Sequence, residues 1–391
     1  MVKTLSNRDV TFGTGVSESE DEAEVATEVV RSALAGRTPT GSDLFLAFPA
    51  TGYDMAALAA ALQEEAAPAR VVGCSAFGSF VGSRATKGCT GIYVPAGGCS
   101  FGVAASASLG ADIFGSSQDA VARALAEAGE EHPYTAVVLL TDGFAGDQRE
   151  VVRGAYSVTG AMIPLVGGAA AASLDERSTY QFASGEVMAN GMVAIAINSP
   201  TPLGVGVHHG WLPTGESMIV TRSEGNVVWE LDGQPAADLY FAQLGERPAA
   251  AKGRAPIAVM HRPIGIVAGA GRYEVRHVVE IDPRGGLAMF GYVGEGAVVR
   301  VMSGDVEHLV DAAKRSASEA AASLFSPSRG ALVFSCAARA AALGPEIARE
   351  AEAVSAGLGT ALVGGFFTFG EFARVKGSSG FHNATIAVLA L

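Results

Sequence analysis

A mixed α/β fold is predicted: mixed sheets with flanking helices, two-lobed, built from repeated βαβαβ-Gly units plus a β-rich insert. Three observations lead there. A strand, helix, strand, helix, strand order ending at glycine recurs three times along the chain. The repeat length hardly varies, because Val10 to Gly73, Val103 to Gly167 and Val299 to Gly364 span 63, 64 and 65 residues. Between the second and third copies, residues 202–296 show alternating strand signals and few helix signals.

Each element rests on local pattern. In the first copy a strand is expected over 10–12, an amphipathic helix over 21–34, a strand over 44–48, a helix over 55–65 and a strand over 70–72, followed by a turn opening at Gly73. The second copy starts at Val103 and continues with a helix over 119–128, a strand over 136–140, a helix over 149–157 and a strand over 163–166 before Gly167-Gly168. The third starts at Val299, with helices over 306–324 and 346–355, strands over 331–335 and 360–363, and then Gly364-Gly365. Every copy closes with one more apolar strand, at 91–94, 192–197 and 385–389. In the β-rich segment, strands at 203–207, 218–221, 227–229, 275–281 and 287–290 are separated by Gly, Pro and Asp turns, and a helix over 236–244 starts after Pro235. The expected division is residues 1–200, holding two units, and 201–391, holding the insert and the third unit.

Composition narrows the function. With 27 Lys+Arg against 40 Asp+Glu the net charge is −13 over 391 residues, which argues against nucleic acid or an anionic membrane as partner, since both demand a cationic footprint. Three uncharged stretches, 154–174, 187–215 and 353–370, are broken by Pro and Gly, so no membrane insertion is expected. The N-terminus shows no apolar signal region ahead of its acidic run, and a cytoplasmic location is expected. Four cysteines, Cys74, Cys89, Cys99 and Cys336, form no CxxC pair, and reduced thiols are expected.

Candidate chemistry collects in the C-terminal unit. Cys336 ends an apolar strand, and Arg339 is the only cation between Arg329 and Arg349. Glu371 is a carboxylate inside the aromatic run that also holds Thr368, where it must be paired or face a polar cleft. His382 and Asn383 precede the last strand. One cation, one acid and two polar side chains are what a small zwitterion or carboxylate requires, so these six residues form the expected ligand site, with Arg339 and the helix start at Gly344-Pro345-Glu346 on the carboxylate and Glu371 on an amine. An alternative is a thiol-dependent enzyme with Cys336 as nucleophile and His382 as base. No nucleophile elbow, P-loop, HExxH or dinucleotide fingerprint accompanies it. The His208-His209 pair points to opposite faces of a strand, which disfavours a shared metal. Failing the C-terminal constellation, the site is expected near Cys74.

Eight segments in order resemble the FIST sensory family: Val72-Gly73-Cys74-Ser75, Thr141-Asp142-Gly143-Phe144, Leu165-Val166-Gly167-Gly168-Ala169-Ala170, the stretch from His209-Gly210-Trp211 to Glu216, Glu230-Leu231-Asp232-Gly233-Gln234-Pro235-Ala236, Phe334-Ser335-Cys336, Gly365-Phe366-Phe367-Thr368-Phe369-Gly370-Glu371, and His382-Asn383-Ala384-Thr385. The resemblance spans nearly the whole chain and joins the FIST N-terminal and C-terminal domains. It implies a sensory module that binds small molecules such as amino acids and feeds a histidine kinase or a cyclic-dinucleotide enzyme. One branch of the family binds haem and senses nitric oxide, but the resemblance maps that ligand onto no histidine of this chain, so the expectation is no cofactor by default. No kinase, cyclase or receptor segment is present among these residues, which implies a separate signalling partner.

Overall fold

The computed structural model describes residues 10–173, 175–245, 253–254, 259, 261–269, 271–374 and 380–391. Unit 1 comprises β1 (Gly13–Ser17), α1 (Glu22–Leu34), β2 (Leu44–Pro49), α2 (Met55–Ala66), β3 (Arg70–Cys74), a hairpin of β4 (Ser79–Val81) and β5 (Arg84–Thr86), and β6 (Cys89–Val94). Unit 2 repeats this order with β7 (Ser100–Ser106), α3 (Ile113–Ala128), β8 (Tyr134–Thr141), α4 (Gln148–Thr159), β9 (Leu165–Ala169), the hairpin β10 (Tyr180–Ala183) and β11 (Glu186–Ala189), and β12 (Met192–Ser199). Asp21, Asp54, Asp112 and Asp147 each accept a backbone N–H at the start of the following helix, and such caps contribute about 1 kcal/mol apiece.

Unit 3 opens with β13 (Gly204–His208), which corrects the expected start at Val299. The β-rich segment is inserted directly after it: β14 (Leu212–Pro213), β15 (Met218–Glu224), β16 (Val227–Leu231), β17 (Gln234–Pro235), α5 (Ala236–Gln243), β18 (Gly253–Arg254), β19 (Ile264–Gly269), β20 (Arg272–Arg276), β21 (Val278–Ile281), β22 (Leu287–Met289) and β23 (Val298–Ser303). All its pairings are antiparallel, and β23, around Val299, lies between β15 and β19 in that sheet. The unit then resumes with α6 (Val306–Ala322), β24 (Ala331–Cys336), α7 (Ala337–Leu343), α8 (Ala348–Leu358), β25 (Val363–Thr368), the hairpin β26 (Glu371–Arg374) and β27 (Gly380–His382), and β28 (Ile386–Ala390). The insertion therefore runs from β14 to β23, later at both ends than the expected 202–296.

The repetition is real at the level of topology. The sheets run β1-β6-β2-β3, β7-β12-β8-β9 and β13-β28-β24-β25, with the last two strands of each parallel and the others antiparallel. Each sheet is completed by a hairpin from another unit: β10–β11 of unit 2 joins β3, β26–β27 of unit 3 joins β9, and β4–β5 of unit 1 joins β25. The three exchanges close a ring. A single apolar core draws on all three sheets, including Phe48, Val72, Val138, Ile195, Phe334 and Leu389, and Phe48 stacks on Phe366 at 4.6 Å. The β-rich unit has its own core around Val228, Tyr240, Met289 and Val301. A further cluster of Trp211, Val275, Met302, Leu309, Leu343 and Ala384 joins the β-rich unit to unit 3.

The glycines expected to end each repeat in a turn lie instead inside the third strands. Gly73, Gly167 and Gly365 stand opposite Phe182, Phe372 and Phe80 of the incoming hairpins. A Cβ at any of them would come within 2.0 Å of a backbone oxygen on the neighbouring strand, so the close passage requires hydrogen there. The expected strand at 10–12 begins three residues later for a similar reason: Gly13 and Gly15 let α1 settle directly on β1, against the carbonyls of Ala33 and Val29.

Candidate functional site

The six residues expected to bind ligand fall into three places. Cys336 and Ser335 are consecutive on β24 and so project to opposite faces. On one face Ser335 Oγ donates to Glu350 Oε1 at 2.5 Å, and Arg339 donates to Glu350 Oε2 through Nε at 2.9 Å and Nη2 at 2.5 Å. Arg339 also donates to the carbonyls of His209 (2.6 Å) and Leu309 (2.9 Å), and is completely buried. Its charge is matched by Glu350 of α8, within the packing of α6, α7 and α8, and it does not face Glu371.

On the other face Glu371 gathers Thr368, Thr385 and Cys336. The hydroxyl of Thr368 donates to Oε1, and the hydroxyl and N–H of Thr385 donate to Oε2 at 2.8 and 3.1 Å. Burial pushes the carboxyl up to about 7, against the pull of those donors and of the Cys336 thiol. The Cys336 thiol is itself raised by burial and by the Glu371 charge. A thiolate nucleophile needs the opposite environment and an adjacent imidazole. His382 instead engages the carbonyl of Ala373 through Nε2 at 2.9 Å, so the geometry does not assemble the Cys336–His382 pair. Glu371 has a counterpart in the second repeat. Gln181 occupies the same hairpin position, and its Oε1 accepts the N–H of Gly191 just before β12, as Glu371 accepts that of Thr385 just before β28.

His382 stands opposite Glu371 in the β26–β27 pair with its ring turned to the Ala373 carbonyl, and the third place holds Asn383, which follows it at the junction with the β-rich unit. Asn383 is 1% exposed and neither of its side-chain polar atoms has a partner among the described residues.

Sequence reasoning passed over a larger feature. A groove of about 930 Å³ opens between units 1 and 3, where the chain leaves the carboxyl ends of β2, β3, β24 and β25. Ligands collect at such strand ends in α/β sheets. Its lining includes the apolar Phe77, Phe367 and Ile347, and Glu18, Glu20 and Lys87 bring both signs of charge. Glu18 is held by Arg84 at 3.2 Å and by the Thr86 hydroxyl at 3.2 Å. Tyr53 donates to the carbonyl of Ser19 at 2.8 Å, and burial together with nearby acidic groups pushes its hydroxyl up to about 12. The signal for this groove is three-dimensional, since its walls come from segments some 300 residues apart.

Among the described residues no helix is long and apolar enough to cross a membrane, no group of His, Cys, Asp and Glu could hold a metal ion, and the four cysteines are free and buried.

Comparison with known proteins finds two family domains along the chain, meeting within the β-rich segment. Residues 43–234 match the FIST N domain and residues 236–374 the FIST C domain. An uncharacterized protein of Mycobacterium tuberculosis is 28% identical over 96% of this chain and 98% of its own length. An uncharacterized protein of Mycobacterium bovis is 26% identical over 57% of this chain and 59% of its own. An uncharacterized protein of Methanocaldococcus jannaschii is 36% identical over 22% of this chain and 16% of its own. With both domain matches in order and together covering most of its length, the chain belongs to the FIST family.

Proposed function

We propose that this protein is a sensor for a small molecule, an amino acid or small carboxylate, bound in the groove between units 1 and 3, and that it acts on a separate signalling partner such as a histidine kinase or a cyclic-dinucleotide enzyme. FIST domains are associated with sensory signal transduction. The observation that carries the reading is the groove: about 930 Å³ at the ends of parallel strands, lined by phenylalanines and Ile347 together with carboxylates and an ammonium group. That combination suits an amine, a carboxylate and a small apolar side chain in one ligand. The ligand-holding role expected of Arg339 and Glu371 passes in this reading to Lys87 and to Glu18 or Glu20, because Arg339 is matched by Glu350 and Glu371 by three neutral donors.

The haem reading lacks a fitting ligand in the groove. Among the described residues its lining holds no histidine, cysteine or methionine, and Tyr53 is tied to Ser19 with a hydroxyl that resists ionisation. Calorimetry with the full chain against a panel of amino acids and small carboxylates tests the proposal. Saturable binding is expected, weakened roughly tenfold or more in Lys87→Ala and in Glu20→Gln, the usual worth of a charge-assisted hydrogen bond. Absence of binding across the panel, or unchanged affinity in both variants, would overturn it.

A further inference from the structure

The ring makes the groove one of three related places. Advancing from the boundary of units 1 and 3 to that of units 3 and 2 carries Phe77-Gly78 onto Phe369-Gly370 and residues 86–88 onto 382–385. At this second boundary the place is roofed. Phe290 of the β-rich unit packs on Phe369, which also meets Phe144, with ring centroids at 6.2 and 5.6 Å. Arg149 of the ring lies over Tyr292 at 4.2 Å and pairs with Asp147 at 2.5 Å.

Under this roof three side chains are more than nine-tenths buried yet leave polar atoms without partners among the described residues. They are Asn383 (1% exposed; Oδ1 and Nδ2), His277 (6%; both ring nitrogens) and Arg276 (3%; Nε). Arg276 otherwise donates to its neighbour's carbonyl at Val275 and to Glu274 at 3.3 Å. His277 stands edge-on to Trp211 at 6.0 Å, and Trp211 Nε1 donates to the carbonyl of Ala384, next to Asn383. One ring links the other two groups. A Cβ added at Gly291 would lie 3.3 Å from Arg276 Nε and 3.6 Å from Phe381; one added at Gly370 would lie 2.7 Å from the other edge of Phe381 and 3.5 Å from Asn383 Nδ2. Buried polar atoms in native proteins are nearly always bonded, so two such side chains at the two edges of Phe381, with His277 next in sequence to Arg276, point to a polar guest.

We propose that the junction is a second ligand site, distinct from the groove, for a small carboxylate with an aromatic or aliphatic body: Arg276 Nε and Asn383 Nδ2 donate to the carboxylate, and the body lies against Phe369 and Phe381. A guanidinium and an amide are complementary to a carboxylate, and the surrounding phenylalanines favour an apolar remainder over a second charge. His277 is neutral in this setting, burial holding it near 4, and offers one further donor and one acceptor at the Trp211 end.

The test uses the full chain with 3-phenylpropionate and hexanoate as probes, followed by calorimetry and by thermal melting. Saturable binding and a rise in Tm are expected for the wild type. Arg276→Gln and Asn383→Leu are each expected to weaken binding by roughly tenfold or more. Asn383→Leu is the safer variant, because replacing an unpartnered buried amide by an apolar side chain leaves the unliganded Tm equal or higher. No saturable binding of either probe, or wild-type affinity in Asn383→Leu, overturns the inference. So does binding that is lost in Lys87→Ala but kept in Asn383→Leu, which places the probe in the groove.

Discussion

Glu371 is a carboxyl group sealed in the ring with hydroxyl, amide and thiol donors and no cation, and its proton affinity follows from that setting. Burial raises it from the ordinary 4.5 to about 7. The native chain therefore keeps this proton at pH values where the unfolded chain has released it. The resulting stabilisation is full below pH 4.5 and is lost as pH rises to about 7, a change of order 3 kcal/mol for a shift of this size. Urea unfolding of wild type and Glu371→Gln between pH 4.5 and 8 should show the wild type losing stability relative to the variant as pH rises; parallel curves would refute the assignment. Arg339 and Glu350 make a different case, a completely buried ion pair at 2.5 Å. Arg339→Met should destabilise by about 3–5 kcal/mol by stranding the carboxylate, and Arg339→Met with Glu350→Leu should recover part of that loss. A single variant with wild-type denaturant midpoint would show the pair to be dispensable. The requirement that Glu371 be paired or face a cleft was legible from its aromatic neighbours. Its partners were not, since Thr385 is 14 residues away and Cys336 on another strand, and the better clue was the internal repeat, which aligns Glu371 with the backbone-binding Gln181.

Among the elements, glycine sets how closely helices approach the ring's outer strands. A Cβ at Gly204 would fall 1.9 Å from the carbonyl of Ala320, one at Gly206 2.0 Å from that of Ser316, and one at Gly102 1.9 Å from that of Ala124. The same device thus recurs in the first strand of every unit. Gly206→Ala should push α6 off β13 and cost about 1–3 kcal/mol or more, read from the urea midpoint, with Gly225→Ala as an informative contrast because space is open there and only its positive φ of 58° is strained. Equal effects would mean that backbone conformation, not helix approach, is the constraint. Elements with local causes were legible: α1 and α2 follow their Asp caps and apolar spacing, and β2 and β24 their continuous apolar runs. The first strand of unit 1 was misplaced because Gly13 and Gly15 interrupt the β-branched signal of Thr14 and Val16 and its partners lie 70 to 80 residues away; Val103 does lie in β7, and the strand at 203–207 was expected but assigned to the insert. The short helix α7 is not among the expected elements, since Ala337–Leu343 presents no capping side chain.

At the scale of the whole molecule, the exchanged hairpins make the ring depend on continuity across the middle of the chain. A cut at residue 200 separates β9 from its hairpin β26–β27, and β25 from its hairpin β4–β5. It also removes Phe372 from its place over Gly167 and Phe80 from its place over Gly365, each phenylalanine being buried to at least 99%. Losing one buried phenylalanine costs about 3–5 kcal/mol, comparable with the whole stability of many domains, and each half would also expose a naked strand edge in its sheet. Residues 1–200 and 201–391 expressed separately are therefore expected to aggregate or unfold without cooperativity, whereas co-expression should return a one-to-one complex with the melting profile of the intact chain. Hydrogen exchange gives the sharper reading, because the amides of Leu165–Ala169 should be protected in the complex and open in the isolated N-terminal half. If that half alone melts cooperatively with those amides protected, the hairpin exchange is decoration on independently stable units, and the ring contributes little to what makes any one of them fold.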